Sequence, residues 1–429
     1  MTSTDPPRSQ WPLWTALVGI PTLLCMPACE RISYYSISGA SDATGDAGAG
    51  ASGHGPSTSP STTTGPAAVS RAMVLDAVGT CATALYADIE TATATLEDAT
   101  AELSGDPSPE AEATARTAWL NAISLWQQAE LLKIGVAGPT SLPEGEGLRD
   151  YIYSWPLVSR CLVEQTLVQQ KYDDENFAVV GLVNTRGLAA QEYLLFYEGA
   201  DNGCSASASI NAQGTWDALG SATRTQRKRD YAHVLSEDLS TKTTTLHAAW
   251  SSGGFADGLA RAGTGGSPFE SERAALNAVS DGLFYLEVET KDGKLAKPLG
   301  LSDTCTEASC PDDVESQYAR VAVTHIHSNL LGFRRIYEGC AESEDIGFDD
   351  LLRTLGAGEL ADRMSNDLAS AVATVEGLQD KDLITLMVSD KAAAEGIHTA
   401  VKRLTDALKT EFITVLDLDL PAAVEGDND

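Results

Sequence analysis

Apolar residues recur at helical spacing through most of the chain after residue 73. In one segment Trp119, Ala122, Ile123 and Trp126 lie at positions i, i+3, i+4 and i+7, which predicts one buried helical face. Ser108-Pro109 precedes this segment and supplies an N-cap followed by a proline at the first helical position. Comparable patterns predict long helices over 73–103, 176–197, 227–250, 271–289, 314–337, 348–378 and 383–416. The sequence therefore predicts an all-α protein with antiparallel helices.

A glycine-rich stretch, 263–268, interrupts the helical pattern. We place a domain boundary there, with one helical bundle over 71–262 and a second over 263–429. The same residues, Tyr-Glu-Gly, close a predicted helix in each half, at 197–199 and at 337–339. This echo favours two antiparallel bundles related by internal duplication.

The N-terminal segment is typical of an exported lipoprotein. Residues 1–28 read as a signal peptide, because their apolar stretch is short and broken by prolines. Met26-Pro-Ala-Cys29 resembles a lipobox, so Cys29 is the expected lipidation site, with ordinary signal cleavage as the alternative. Residues 29–70 then form a lipidated cysteine and a disordered tether rich in Gly, Ser, Thr and Pro. We expect a lipid-anchored protein of the bacterial cell envelope, on its periplasmic or cell-surface face.

The charge balance is strongly acidic, with 61 Asp and Glu against 29 Lys and Arg and a net charge of −32. Nucleic-acid binding needs a basic face, which this composition argues against. Electrostatic docking on an anionic membrane is disfavoured for the same reason. The lipid anchor is thus the one membrane contact that we expect, and the acidic surface serves mainly for solubility.

Six cysteines follow Cys29, and an even number in an exported chain predicts disulfides rather than a thiolate metal site. Cys305 and Cys310 lie in one short loop, so we expect them to pair with each other. The pairing of the other four stays open at this point; they are Cys81, Cys161, Cys204 and Cys340.

One carboxylate lies within an apolar helical segment, at Glu192 in 186–196. A buried carboxylate is costly unless it is paired, hydrogen-bonded or protonated. Glu192 could pair with an Arg or Tyr from another helix, contact a ligand in a cleft, or reach solvent. Glu130 continues the apolar stripe of its own helix. It could be a second inward carboxylate, but we favour a helix-end side chain that reaches solvent.

Other patterns for catalysis or metal binding are absent from the sequence. It contains no H-E-x-x-H, G-x-S-x-G or phosphate-binding glycine loop. His325 and His327 are two apart, so on a helix their rings diverge by about 200° and should not share a metal.

The segment 186–196 resembles the G-x-H-x-x-E signature of the imelysin family, an envelope group classed with metallopeptidases and iron-uptake proteins. Gly187 and Glu192 match the signature, and Ala189 stands where the family has its histidine. Further similar segments, such as 152–156 and 294–300, extend the resemblance from about residue 72 to the C-terminus. The resemblance implies two helical-bundle domains, with the signature helix facing the cleft between them.

We therefore expect a non-enzymatic, imelysin-like envelope lipoprotein that binds a ligand or a metal ion in this cleft. The ion would be a divalent cation or iron, with Glu192 as its candidate ligand, and no catalytic residue is assigned. One alternative is an active imelysin-type metallopeptidase that uses Glu192 with ligands from elsewhere. A second is a structural or partner-binding surface lipoprotein. The sequence names neither a protein partner nor an oligomeric state.

Overall fold

The computed structural model describes residues 68–340 and 346–425. They belong to one compact unit, Thr64–Asp429. Their regular secondary structure is helical, without a β-strand in these ranges, which confirms the all-α prediction. The predicted signal peptide, Cys29 and nearly all of the predicted tether lie outside the described residues, so lipidation and export stay predictions.

Eighteen α-helices are described. In chain order they are α1 (Arg71–Gly105), α2 (Pro109–Ala129), α3 (Leu148–Ile152), α4 (Arg160–Gln169), α5 (Phe177–Val180), α6 (Gly187–Phe196), α7 (Ser209–Ala212), α8 (Thr215–Ala218), α9 (Gly220–Trp250), α10 (Phe255–Ala260), α11 (Glu272–Leu283), α12 (Lys297–Leu299), α13 (Ala322–Tyr337), α14 (Phe348–Thr354), α15 (Gly358–Glu376), α16 (Leu383–Ser389), α17 (Lys391–Ala407) and α18 (Ile413–Leu416). Two π-helical segments, Leu286–Ala296 and Leu408–Phe412, continue the helical path in the second half.

The long helices begin at the caps that the sequence provides. The Ser70 hydroxyl accepts a hydrogen bond from the Met73 N–H at the start of α1, and Ser108 does the same for Ala111 in α2. α1 is long and apolar enough to cross a membrane by length and composition. It packs against α2, α9 and α10. We therefore interpret α1 as a core helix.

The core is continuous between the two halves of the chain. In the first half α1, α2, α6 and α9 pack together, and in the second half α13, α15, α17 and the first π-helical segment do so. Contacts between α2 and α13 join the halves. The predicted boundary at residue 263 and the internal duplication stay predictions.

Four predicted helices are interrupted or shorter than the apolar pattern suggests. Those over 348–378 and 383–416 are each divided, at 355–357 and at Asp390. The helix expected over 176–197 is interrupted, and α6 begins only at Gly187, whose φ is 73°. It ends at Phe196 rather than at Gly199. The helix expected over 314–337 begins at Ala322. Residues 314–320 instead form an irregular segment, here called the 314–320 loop, with positive φ at Ser316 and Arg320.

The structure contains the disulfide expected between Cys305 and Cys310. It also pairs Cys161 with Cys204, and Cys81 with Cys340. The last bond ties α1 to the residues just after α13, so it joins the two halves of the chain across a separation of 259 residues.

Candidate functional site

Glu192 lies on α6 and is 6% exposed. Its Oε1 accepts three hydrogen bonds from the 314–320 loop: from the Ser316 hydroxyl at 3.1 Å, the Tyr318 N–H at 2.9 Å and the Ala319 N–H at 2.8 Å. Its Oε2 accepts no hydrogen bond from the part of the chain that the structure describes. One oxygen is thus fixed by protein donors while the other is left available.

The loop reaches Glu192 because its backbone adopts the left-handed region of φ and ψ at Ser316, where φ is 57°. This conformation is uncommon for a residue with a side chain, and here it accompanies a turn that presents two successive N–H groups to one carboxylate oxygen. Glu192 therefore fastens the second half of the chain to α6. The sequence-based alternative of a solvent-exposed Glu192 is wrong.

Beside Glu192 the structure contains a cavity of about 500 Å³. Ala189 and Glu192, one helical turn apart on α6, both line it. Aromatic side chains form much of its wall: Tyr153, Trp155, Tyr193 and Tyr318. Exposed residues at its edge, Pro156 and Asp312, show that the cavity reaches the protein surface.

The cavity carries a surplus of negative charge. Glu192 and Asp312 form no ion pair within the described residues, although both line it. The other charged groups of the lining are balanced in the pairs Lys297–Asp313 at 2.9 Å, Lys133–Glu289 at 2.7 Å and Arg160–Glu164 at 2.8 Å. An entering cation would therefore meet carboxylates that no protein cation neutralises.

Burial raises the pKa of Glu192 to about 7. The hydrogen bonds from Ala319, Tyr318 and Ser316 act in the opposite direction, since they favour the charged form, and nearby Glu315 raises the pKa further. Near neutral pH the carboxyl group therefore exchanges between its neutral and its ionised form.

Sequence comparison decides the family. The imelysin profile, a peptidase family, matches residues 82–410. The chain belongs to the imelysin family. The resemblance inferred from the signature helix is thereby confirmed at the level of the family.

Two solved structures share the imelysin fold. One is an imelysin-like protein from Psychrobacter arcticum 273-4, with 18% sequence identity and a TM-score of 0.59; the match covers 82% of this chain and 98% of that one. The other is a protein from Parabacteroides distasonis ATCC 8503, provisionally described as an iron-regulated protein A precursor, with 16% identity and a TM-score of 0.61, covering 82% and 96% of the two chains. At these identities the likeness shows the fold alone. No curated protein matches the chain.

The signature glycine of this imelysin-family chain has a clear structural role. Gly187 starts α6 with φ of 73°, and a Cβ placed there would lie 2.8 Å from the Ile152 carbonyl oxygen and 3.0 Å from that of Tyr151. Only glycine combines the left-handed backbone with this close approach. Gly187 therefore sets the start of the helix that carries Ala189 and Glu192.

Tight binding of a bare metal ion does not fit the residues present. No group of three His, Cys, Asp or Glu side chains converges anywhere in 68–340 or 346–425. Zinc and iron sites need at least three such donors. His325 and His327 face different carboxylates, with Nδ1 of the former 3.2 Å from Glu315 and Nε2 of the latter 3.4 Å from Glu376. Glu192 as a metal ligand stays a prediction.

A buried polar network lies directly behind the loop. Glu315 contacts Lys294 at 3.1 Å and Gln127 at 3.1 Å, and it accepts a hydrogen bond from the Tyr153 hydroxyl. Burial alone would raise the pKa of Glu315, but its interactions with Lys294 and with the His325 side chain lower it to about 2. Glu315 therefore stays ionised and anchors the 314–320 loop, of which it is part, to the core.

Glu130 corrects a second expectation. Its side chain is fully buried rather than exposed, and it accepts hydrogen bonds from Arg149 Nη2 at 2.5 Å and Trp126 Nε1 at 2.6 Å. The bond to the indole fixes the carboxylate one turn from Trp126, and Arg149 supplies the counter-charge that burial requires. No sequence pattern indicated this partner, because Arg149 comes from the separate helix α3.

Sequence reasoning also missed the donors of Glu192. Ser316, Tyr318 and Ala319 lie in a segment that the apolar period assigned to a helix. One local signal was available: Pro311-Asp-Asp immediately upstream is a stretch that disfavours regular helix before residue 314. Nothing in the sequence indicated which carboxylate this loop would meet.

Proposed function

We propose that this imelysin-family chain is a non-enzymatic binding protein of the cell envelope that holds a cationic ligand in the Glu192 cavity. One observation carries the proposal. Glu192 has one oxygen held by three donors and a second oxygen without a protein partner, beside a cavity with surplus negative charge. A carboxylate fixed in this way is oriented before the ligand arrives, which reduces the ordering cost of binding.

The cavity wall supports a cation as the ligand. Tyr153, Trp155, Tyr193 and Tyr318 present aromatic rings, whose faces attract ammonium and similar groups. The volume of about 500 Å³ suits a small organic molecule. Because the donor set does not fit a bare metal ion, we propose an organic cation or a metal ion that arrives already complexed.

The family supports an envelope role connected with iron supply, and the fold neighbour from Parabacteroides distasonis is described as iron-regulated. Lipidation at Cys29 would tether the protein to the membrane. The peptidase alternative would need a metal-binding set around Glu192. The signature resemblance puts Ala189 at the histidine position, and alanine offers no ligand atom.

Calorimetric titration tests the proposal. The wild-type protein and Glu192→Gln are titrated at pH 8 with benzylamine and putrescine, and with benzyl alcohol as an uncharged control. The Gln variant can still accept the three loop hydrogen bonds through its amide oxygen but has no charge. We expect saturable amine binding to the wild type, at least tenfold weaker in Glu192→Gln, and weak benzyl alcohol binding to both.

Three results would overturn the proposal or a stated part of it. Equal affinity of both proteins for the amines would show that Glu192 does not contact the ligand. Submicromolar 1:1 binding of Zn²⁺ or Fe²⁺ that depends on Glu192 would show that the ligand is a bare metal ion rather than a larger cation. Chelator-sensitive cleavage of casein by the wild type and not by Glu192→Gln would show a peptidase.

A further inference from the structure

A second cavity, of about 340 Å³, lies at the C-terminal end of α6, between α2 and α9. Its charge is opposite to that of the Glu192 cavity. Four basic side chains line it, Arg116, Arg224, Lys228 and Arg229, against two acidic ones, Glu112 and Glu198. In a chain with twice as many acidic as basic residues, this local excess of positive charge needs an explanation.

Two of these cations have no anionic partner. Lys228 is 8% exposed, and its ammonium donates to the Tyr197 carbonyl at 2.7 Å. Arg224 donates to the Trp216 carbonyl at 3.0 Å. Neither lies within 4.0 Å of a carboxylate oxygen among the described residues. The other two cations are paired, in Arg116–Glu112 at 2.6 Å, Arg116–Glu198 at 2.9 Å and Arg229–Glu112 at 3.8 Å.

Helical spacing places these two cations together. Arg224 and Lys228 are four residues apart on α9, so their side chains lie on one face of the helix. Ser221 and Thr225, also four apart, line the same cavity, and their hydroxyls have no hydrogen-bond partner in the described part of the protein. The face offers two cations and two hydroxyl donors, which is the set that oxyanions use.

Burial of Lys228 removes its ammonium group from water, which costs free energy. Burial lowers its pKa to about 8, although the charge of Glu164 raises it in part. Its ammonium also lies over the rings of Tyr193 and Tyr197, at 4.4 Å and 4.9 Å from their centroids. These contacts compensate the charge less fully than an anion would, so a bound anion would relieve the cost of burial.

We propose that the cavity lined by Arg224, Lys228, Ser221 and Thr225 binds a small molecule bearing a carboxylate or phosphate group. Its oxyanion lies between the two cations of α9 and accepts from the two hydroxyls. The site differs from the Glu192 cavity in position and in charge. It therefore takes a different class of ligand and does not depend on the proposed function of that cavity.

Calorimetry in 150 mM salt tests this site, with citrate as the carboxylate probe and inorganic phosphate as the phosphate probe. We expect at least one of them to bind saturably and Arg224→Gln to weaken that binding about tenfold or more. Lys228→Met should weaken it to a similar degree. Arg224 is partly exposed, so its variant keeps the test valid if Lys228→Met fails to fold. The tighter probe identifies the anion class.

Arg261→Gln is the matched control, because it removes one positive charge from the same half of the chain. Among the described residues, the Arg261 side chain donates only to the Asp257 carbonyl. The affinity of Arg261→Gln for the anion should stay within twofold of the wild type, as should that of Glu192→Gln. Absence of saturable binding by both probes would overturn the proposal. An equal loss of anion affinity in Arg261→Gln and Arg224→Gln would also overturn it, because it would indicate nonspecific electrostatic attraction.

Discussion

Glu192 combines two tasks in one side chain. Through Oε1 it fastens the 314–320 loop to α6, and through Oε2 it faces the cavity with its charge available. The structural and the ligand-binding interpretations of this residue are therefore not exclusive. Substitutions separate them, because glutamine keeps an acceptor for the loop and removes only the charge.

The pH dependence of stability should differ between the wild type and Glu192→Gln. The folded-state pKa of about 7 lies above the unfolded value, so folding favours the protonated carboxyl. The stabilisation from this group is complete below about pH 4.5 and is lost as the pH rises through 7. From pH 5 to pH 8 the wild type should lose up to roughly 3 kcal/mol relative to Glu192→Gln.

Urea unfolding of both proteins at several pH values measures this difference, and the other titrating groups cancel in the comparison. If the unfolding free energies of the two proteins differ by the same amount at pH 5 and at pH 8, the pKa of Glu192 is not raised.

Ala189→His should place a second metal-ligating side chain beside Glu192. Ala189 lines the cavity one turn before Glu192, so an imidazole there can converge with the Glu192 carboxylate on one ion. We expect Zn²⁺ affinity to rise about tenfold or more over the wild type in calorimetric titration. The double variant Ala189→His/Glu192→Gln is the control, and persistence of the full gain in that protein would contradict the shared site.

At the scale of secondary-structure elements, the start of α6 determines the geometry of the site. The apolar pattern predicted a longer helix there, whereas the structure begins it at Gly187 in a left-handed conformation against the carbonyl groups of Tyr151 and Ile152. A shift of this start would rotate Ala189 and Glu192 away from the cavity.

Gly187→Ala should therefore destabilise the fold by roughly 1–3 kcal/mol, through backbone strain and the clash with the Ile152 carbonyl. Gly265→Ala is the control, because a Cβ at that position meets no atom within 4 Å and its φ is ordinary. Denaturant midpoints measure both changes. Equal stability of the two variants would show that the start of α6 is not constrained in this way.

The apolar spacing and the capping residues predicted a helix correctly where the helix is stabilised by burying one face. The buried stripe of α2, including Trp119 and Trp126, and the cap at Ser108 are present as expected. The 314–320 loop was not predictable, since its conformation depends on hydrogen bonds to Glu192, more than 120 residues earlier. The Glu130–Arg149 pair was missed for the same reason: a side chain on another helix decides whether a carboxylate is buried.

At the scale of the whole molecule, several independent connections hold the two halves together. α2 packs against α13, the Glu192 bonds join α6 to the 314–320 loop, and Lys294 donates to Gln127 at 2.6 Å within the buried network. The Cys81–Cys340 disulfide adds a covalent link. The Glu192 cavity is lined from both halves, so its shape depends on these connections.

Removal of the Cys81–Cys340 disulfide by Cys→Ala at both positions should cost roughly 3–5 kcal/mol, because the bond closes a loop of 259 residues. The matched control removes Cys305–Cys310, whose separation is only 5, and should cost about 2 kcal/mol. Urea unfolding under oxidising conditions compares the two. A larger loss from the short loop would contradict this ranking.

The proposed role of Glu192 is to contact a cationic ligand through its free oxygen. Crystals of the wild type and of Glu192→Gln, soaked with a set of small protonated amines, test this contact. We expect an ammonium group within hydrogen-bond distance of Glu192 Oε2 in the wild type and an amine-free cavity in Glu192→Gln. Amines that never enter the wild-type cavity, or that occupy it equally in both proteins, would contradict it.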